Sequence, residues 1–222
     1  MRYLDLVTAL FATVLLVSNV ASTKLVVLGP FTFDGGTLLF PLAYIFGDVL
    51  TEVYGYRKSR RVIWIGFFAL LLATLTFQAV AHLPAPPDAE SQRFGEAFGL
   101  LLGLTPRIVL GSLLAYFLGE FANAYVLAKL KVRTEGRFFW LRALASTLVG
   151  QGLDTGVFLL VAFYGVFPKE VLLAVFLSNY AFKLGVEALM LPFTYAVVGF
   201  LKRAEGMDAY DRDTDFNPFR LT

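Results

Sequence analysis

Long apolar runs separated by short polar segments set the pattern of this chain. Six such runs can be read, at about 4–27, 35–54, 62–83, 108–128, 143–165 and 171–200. Each is near the ~20 residues that carry a helix across the hydrocarbon core of a bilayer. Run length, rather than an amphipathic period, is what identifies them. The last run is long enough to tilt or to break at Pro192. The first is expected to be a retained helix, because its apolar run is too long for a cleaved signal and its one early basic residue is Arg2. The expected fold class is therefore all-α: a polytopic membrane protein with about six transmembrane helices, one transmembrane domain over 1–222 that ends in a polar tail at 203–222.

Basic residues orient the spans, since Lys and Arg concentrate in cytoplasmic loops. Arg57, Lys58, Arg60 and Arg61 follow the second run. Lys129, Lys131, Arg133, Arg137 and Arg142 follow the fourth, and Lys202, Arg203, Arg212 and Arg220 follow the sixth. The alternate loops hold no basic residue between runs 1 and 2, Arg93 and Arg107 between 3 and 4, and Lys169 between 5 and 6. The pattern predicts both termini in the cytoplasm of a cell (inner) membrane, with the Pro-rich segment 82–107 as an outer loop.

Composition narrows the function. The chain is 58% hydrophobic and 16% charged, with a mean hydropathy of +0.70; a soluble domain is about 25% charged. A net charge of +2 is too small to suggest nucleic acid. There is no cysteine and His82 is the only histidine, so thiolate chemistry, a histidine-rich metal site and a Ser–His dyad have nothing to stand on. His82, beside Pro84 at a span end, reads as an interface residue. No catalytic residue, metal or cofactor is expected, and the chain is read as no enzyme.

An ionised side chain at the centre of a bilayer costs about 2.5–3.5 kcal/mol on insertion scales. Lys24, Asp48, Glu52, Glu120, Asp154, Lys183 and Glu187 all lie within the runs, with Asn19, Asn123, Gln151 and Asn179. At ~1.5 Å of rise per residue, Asp48, Glu120, Asp154 and Lys183 fall in one slab near mid-membrane. Residues three or four apart share a helix face. Tyr44, Asp48 and Glu52 form one polar stripe, and Tyr116, Glu120 and Asn123 another. Thr147, Gln151 and Asp154 form a third, and Asn179, Lys183 and Glu187 a fourth. The candidate substrate-binding residues are thus Asn19, Tyr44, Asp48, Tyr116, Glu120, Asn123, Gln151, Asp154, Asn179, Lys183 and Glu187. The competing reading makes them interhelical glue, often worth under ~1 kcal/mol each. On that reading Lys183 pairs with Glu187, Glu52 pairs with Arg57 or Arg60, and Lys24 snorkels to the surface. Gly111, Ala115 and Gly119 offer a small-residue surface for close helix packing. Carboxylates suit a ligand with paired N–H donors, such as the N1–H and 2-amino edge of a guanine-type base, and Tyr44, Tyr116 or Phe158 could stack on a flat ring. Composition alone does not choose that substrate.

Several motifs carry a resemblance. Phe33-Asp34-Gly35-Gly36, Phe40-Pro41-Leu42 and Gly47-Asp48-Val49-Leu50-Thr51-Glu52-Val53-Tyr54-Gly55-Tyr56 come first. With Ser18-Asn19 and Lys24, Gly119-Glu120-Phe121-Ala122-Asn123, Arg142, Ser146-Thr147, Gly150-Gln151, Asp154-Thr155, Lys183, Pro192 and Tyr195, they span nearly the whole chain. The chain resembles the queuosine-precursor (7-deazaguanine) transporter family, also catalogued as vitamin-uptake transporters. The resemblance implies an inner-membrane importer of 7-cyano- and 7-aminomethyl-7-deazaguanine, bases salvaged for tRNA modification. It implies a small-molecule substrate and a lipid bilayer as partners and no nucleic acid; a homo-oligomer is left open. If that substrate carries over, a carboxylate at Asp154 or Glu120 could take the guanine-like edge. The six-helix form is also similar to substrate-binding subunits of energy-coupling-factor transporters, which need a separate ATPase module; the chain has no GxxxxGK[ST] phosphate loop of its own. An intramembrane enzyme and a purely structural membrane protein are the remaining alternatives.

Overall fold

A computed structural model describes residues 1–28 and 31–220. Backbone polar groups cannot be left unpaired in lipid, so a chain this apolar buries them in helices. The order is α1 (Leu4–Ala21), a hairpin of β1 (Leu25–Leu28) and β2 (Phe31–Asp34), a 3-10 turn (Gly35–Leu38), α2 (Phe40–Tyr54), α3 (Tyr56–Ala81), α4 (Ala89–Leu102), α5 (Pro106–Arg133), α6 (Phe139–Phe163) and α7 (Lys169–Glu205). Among the described residues, α1, α3, α5, α6 and α7 are each long and apolar enough to cross a membrane. The chain is an all-α polytopic membrane protein.

The helices differ from the expected runs in four places. The first stops at Ala21, not at 27, because the Ser22 and Thr23 hydroxyls bond back to the carbonyls of Ser18 and Val20 and compete with the helix. Lys24 therefore lies outside α1, exposed in the turn before the antiparallel β1–β2 pair. The second run is helical in two pieces. The 15 residues of α2 rise about 22 Å, and the 3-10 turn adds about 8 Å, so the two together come to a membrane thickness. Pro41 sits in the first turn of α2, where its missing N–H would have no partner anyway. Within the segment expected as an outer loop lies α4, capped by Asp88, whose carboxylate accepts from Ser91 N–H at 2.8 Å. Finally, α7 does not break at Pro192; it runs on through it for 37 residues.

Both chain ends lie on one face. The backbone N–H groups of Arg2 and Tyr3 donate to Glu205 at the end of α7, and Tyr54 at the end of α2 donates to the same carboxylate. The tail after α7 is a strap across this face. Ala209 N–H pairs with the Val53 carbonyl, Tyr56 N–H donates to Asp211, and Arg60 donates to the carbonyls of Asp215 and Asn217. Trp64 Nε1 donates to the Pro218 carbonyl at 2.8 Å, while Phe219 stacks on Phe117. Gly55, between α2 and α3, holds φ +81° and ψ 165° with the Ala209 methyl against it, a backbone region essentially reserved for glycine. Ending the chain at Gly206 would remove the carbonyl acceptors of Arg60 and of the Trp64 indole N–H, at about 0.5–1.5 kcal/mol per lost bond. The truncated protein is expected to melt earlier in detergent; an unchanged melting curve would show that the strap contributes nothing to the fold.

Candidate functional site

Helices α5 and α6 form the closest packed pair near the site, and glycine makes the approach possible. A Cβ on Gly119 would stand 2.8 Å from Asp154 Cβ and 3.0 Å from the Gly150 carbonyl oxygen. One on Gly150 would stand 2.7 Å from Asn123 Cβ and 2.9 Å from the Gly119 carbonyl oxygen. Gly111 meets Ala162 in the same groove. The small-residue surface read on α5 is thus matched by Gly150 and Ala162 on α6. This contact fixes how Glu120 and Asn123 of α5 stand relative to Gln151 and Asp154 of α6.

The two acids of the Gly47–Tyr56 segment, one turn apart on α2, have different surroundings. Glu52 is 1% exposed and meets three cations. Arg142 from α6 grips both its oxygens, Lys202 from α7 reaches Oε1 at 2.7 Å, and Lys131 from α5 stands 3.6 Å away. Arg142 also donates to the carbonyls of Arg137 and Gly136, and Lys131 to the Glu52 and Ala209 carbonyls and to Asp208. Asp208 of the strap lies outside the spans. Burial pushes its carboxyl up, but hydrogen bonds from Lys131 and Lys202 outweigh this and hold it below its ordinary range. Glu52 does not pair with Arg57 or Arg60; Arg60 is committed to the strap. The result is a latch joining α2, α5, α6, α7 and the tail.

Asp48 faces a different space. With Ala43, Gly47, Glu120, Asn123, Thr147 and Gln151 it lines a cavity of about 10 Å³, room for one water-sized particle. Gly47 contributes by having no side chain, since a Cβ there would be 3.7 Å from both Asn123 Nδ2 and Glu120 Oε2. Beside the cavity, Lys183 Nζ binds Asp154 Oδ2 at 2.8 Å and Thr155 Oγ1 at 3.3 Å. Lys183 therefore pairs across to α6 rather than with Glu187 on its own helix. Five buried oxygens receive no hydrogen bond from the described residues: Asp48 Oδ2, Asn123 Oδ1, Gln151 Oε1 and both oxygens of Glu187. All are acceptors.

The structure thus brings together Asp48, Glu120, Asn123 and Gln151 of the sequence candidates, with Asp154, Lys183 and Glu187 just outside the cavity wall. Tyr116 is buried away from it, its hydroxyl donating to the Ile63 carbonyl of α3 at 3.0 Å. Asn179 is exposed on α7, and Asn19 is half-buried on α1. Tyr44 belongs to α2 by its backbone, but its side chain lies outside the described residues. Ala43 and Gly47 were not legible as site residues, because they carry no chemistry and serve by being small. Lys131 and Lys202 were legible as loop charges, and Arg142 as a loop charge and a motif residue; no spacing in the chain joined them to Glu52.

Residues 34–197 match the family described as "Putative vitamin uptake transporter". The chain is 36% identical over 188 residues to the "Probable queuosine precursor transporter" of Bacillus subtilis (strain 168), covering 84% of this chain and 80% of that protein. It is 27% identical over 168 residues to the "Queuosine precursor transporter" of Escherichia coli (strain K12), covering 73% and 71%. It is 26% identical over 166 residues to a "Probable queuosine precursor transporter" of Haemophilus influenzae, covering 73% and 67%. No solved structure matches the chain. The matched span contains every residue of the cavity wall and both acids of α2. The chain therefore belongs to this family of membrane transporters, a family of carriers and not of enzymes.

Proposed function

We propose that this protein imports queuosine precursors, 7-cyano- and 7-aminomethyl-7-deazaguanine, through the polar cavity between α2, α5 and α6, with both termini on the cytoplasmic side of the cell membrane. The observation that carries the reading is the one-sidedness of the cavity: its unpaired buried atoms, Asp48 Oδ2, Asn123 Oδ1 and Gln151 Oε1, are all acceptors. A guanine-type base presents the complementary edge, with N1–H and the 2-amino group as donors. A carboxylate can take two such donors side by side. Glu120 is the residue placed for this, since it lines the cavity while Asp154 is already bonded to Lys183. Asn123 and Gln151 accept the remaining donors, and an aminomethyl cation is welcome among so many acids. The relatives' names support the substrate class, and the family supports transport.

A cavity of about 10 Å³ is far too small for a bicyclic base, so this is a closed form, and the helices must part to load it. The latch and strap close the basic face, and the excess of Lys and Arg there supports a cytoplasmic side for it. The test is uptake of a labelled 7-deazaguanine base by purified protein in sealed liposomes. Uptake with no partner protein is the expected result. Glu120→Gln should lose about 1.5–3 kcal/mol of charge-assisted bonding, and therefore tenfold or more in apparent affinity. Full affinity in that variant would remove Glu120 from the role. Uptake only when an ATPase module is added would make the chain a binding subunit instead.

A further inference from the structure

Asp48 and Glu187 are buried acids with a partner problem. Each is 1% exposed, and their carboxyl groups face one another across the α2–α7 contact. Asp48 Oδ2 and both Glu187 oxygens receive no hydrogen bond; two acceptors confront each other with no donor between them. The charged neighbours make this worse rather than better. Glu52 acts on Asp48 from one turn along α2, and Glu120 of α5 lines the same cavity. Asn123 of α5 stands beside Asp48 in the wall of the same cavity. The cations of the region are spent elsewhere: Arg142, Lys202 and Lys131 on Glu52, and Lys183 on Asp154 and Thr155. Thr147 and Gln151 of α6 complete the wall with neutral groups. Two carboxylates in a low-dielectric interior repel strongly, whereas one proton between them turns the repulsion into a hydrogen bond that satisfies an orphaned oxygen.

We propose that Asp48 and Glu187 form a proton-binding site that couples import to the transmembrane proton gradient. The proton joins the pair from the outer side as α2 and α7 close on the loaded cavity, bridging the two carboxyls in the closed form. It leaves to the inner side when the helices part there. Asp48 is the connecting residue, since it lines the cavity and has Glu187 as its neighbour. Coupling follows because α2 and α7 close against each other only when the pair carries its proton. This rests on the import reading above and names its driving force.

The test uses the full-length protein in sealed liposomes with a labelled 7-deazaguanine base, read in two modes. With the exterior one pH unit more acid, the wild type is expected to concentrate a neutral base inside toward tenfold, the limit for one proton per base. In exchange mode, liposomes preloaded with unlabelled base should take up label with no gradient. Glu187→Gln, which lies off the cavity wall, should keep exchange and lose gradient-driven accumulation. Should that variant fail to assemble, proton uptake by the wild type on binding the base, read with an indicator dye in weak buffer, gives the same decision. Accumulation that persists in Glu187→Gln overturns the proposal. So does accumulation driven by a sodium gradient alone, or a wild type that exchanges the base but does not accumulate it under the pH gradient. A wild type that neither binds nor exchanges the base overturns the import reading itself, and the coupling with it.

Discussion

Glu52→Ala is expected to be the most damaging single substitution outside the helix contacts, with the protein losing its folded yield in detergent before transport can be asked about. Arg142 and Lys131 are each 1% exposed, and with Lys202 they point at this one carboxylate. Breaking a buried ion pair by removing one partner costs about 3–5 kcal/mol, because an uncompensated charge is left inside. Here Arg142 is left with no carboxylate, while Lys131 and Lys202 keep only Asp208 between them. Arg142 keeps its bonds to the Arg137 and Gly136 carbonyls, so it cannot swing out to water without undoing the turn before α6. The measurement is thermal unfolding of the purified variant, alongside Glu52→Ala combined with Arg142→Met. If the latch is as described, the double variant recovers part of the loss, since the stranded charge has gone with its partner. A single variant that melts like the wild type would mean the cluster is solvated and the latch is not a structural element.

Glu52 also shows how far the sequence could be read. That α2 carries two acids one turn apart, at helical spacing, was plain from the chain. That one would serve the latch and the other the cavity was not, because the division depends on which neighbouring helices stand opposite. Arg142 is 90 residues from Glu52 and Lys202 is 150; neither separation has a period that a single chain reveals. The helices themselves were legible, since apolar run length is a one-dimensional signal. The failures came where short-range chemistry overrides it: hydroxyls of Ser22 and Thr23 that end α1, and the Asp88 cap that starts a helix inside an expected loop. The mid-membrane acids could be picked out by their cost, and Asp48 and Glu120 do line the cavity. Tyr116 shared their stripe but faces α3. A stripe gives a face of the helix; it does not say which neighbour that face meets.

The second large effect is expected at Gly119 and Gly150, where no charge is involved. In each case an added methyl would stand under 3 Å from a carbon of the opposing helix and no more than 3.0 Å from a backbone oxygen. Neither neighbour is the free end of a flexible side chain, so α5 and α6 must separate. Overpacking of this kind costs about 1–3 kcal/mol in a well-packed interior, but the consequence for transport is larger than for stability. Gly150 immediately precedes Gln151, and Gly119 immediately precedes Glu120. Pushing the helices apart therefore moves the acceptors of α5 away from those of α6, and a base held by both sides loses one of them. Gly119→Ala and Gly150→Ala should each lower uptake by tenfold or more while leaving folded protein to purify. The control is Gly185→Ala on α7, where an added Cβ meets nothing within 4 Å and the residue is a better helix former than glycine. That variant should transport like the wild type. Normal uptake in Gly150→Ala would mean that the α5–α6 spacing is free to relax without cost to the site, and that the cavity wall is set by some other contact.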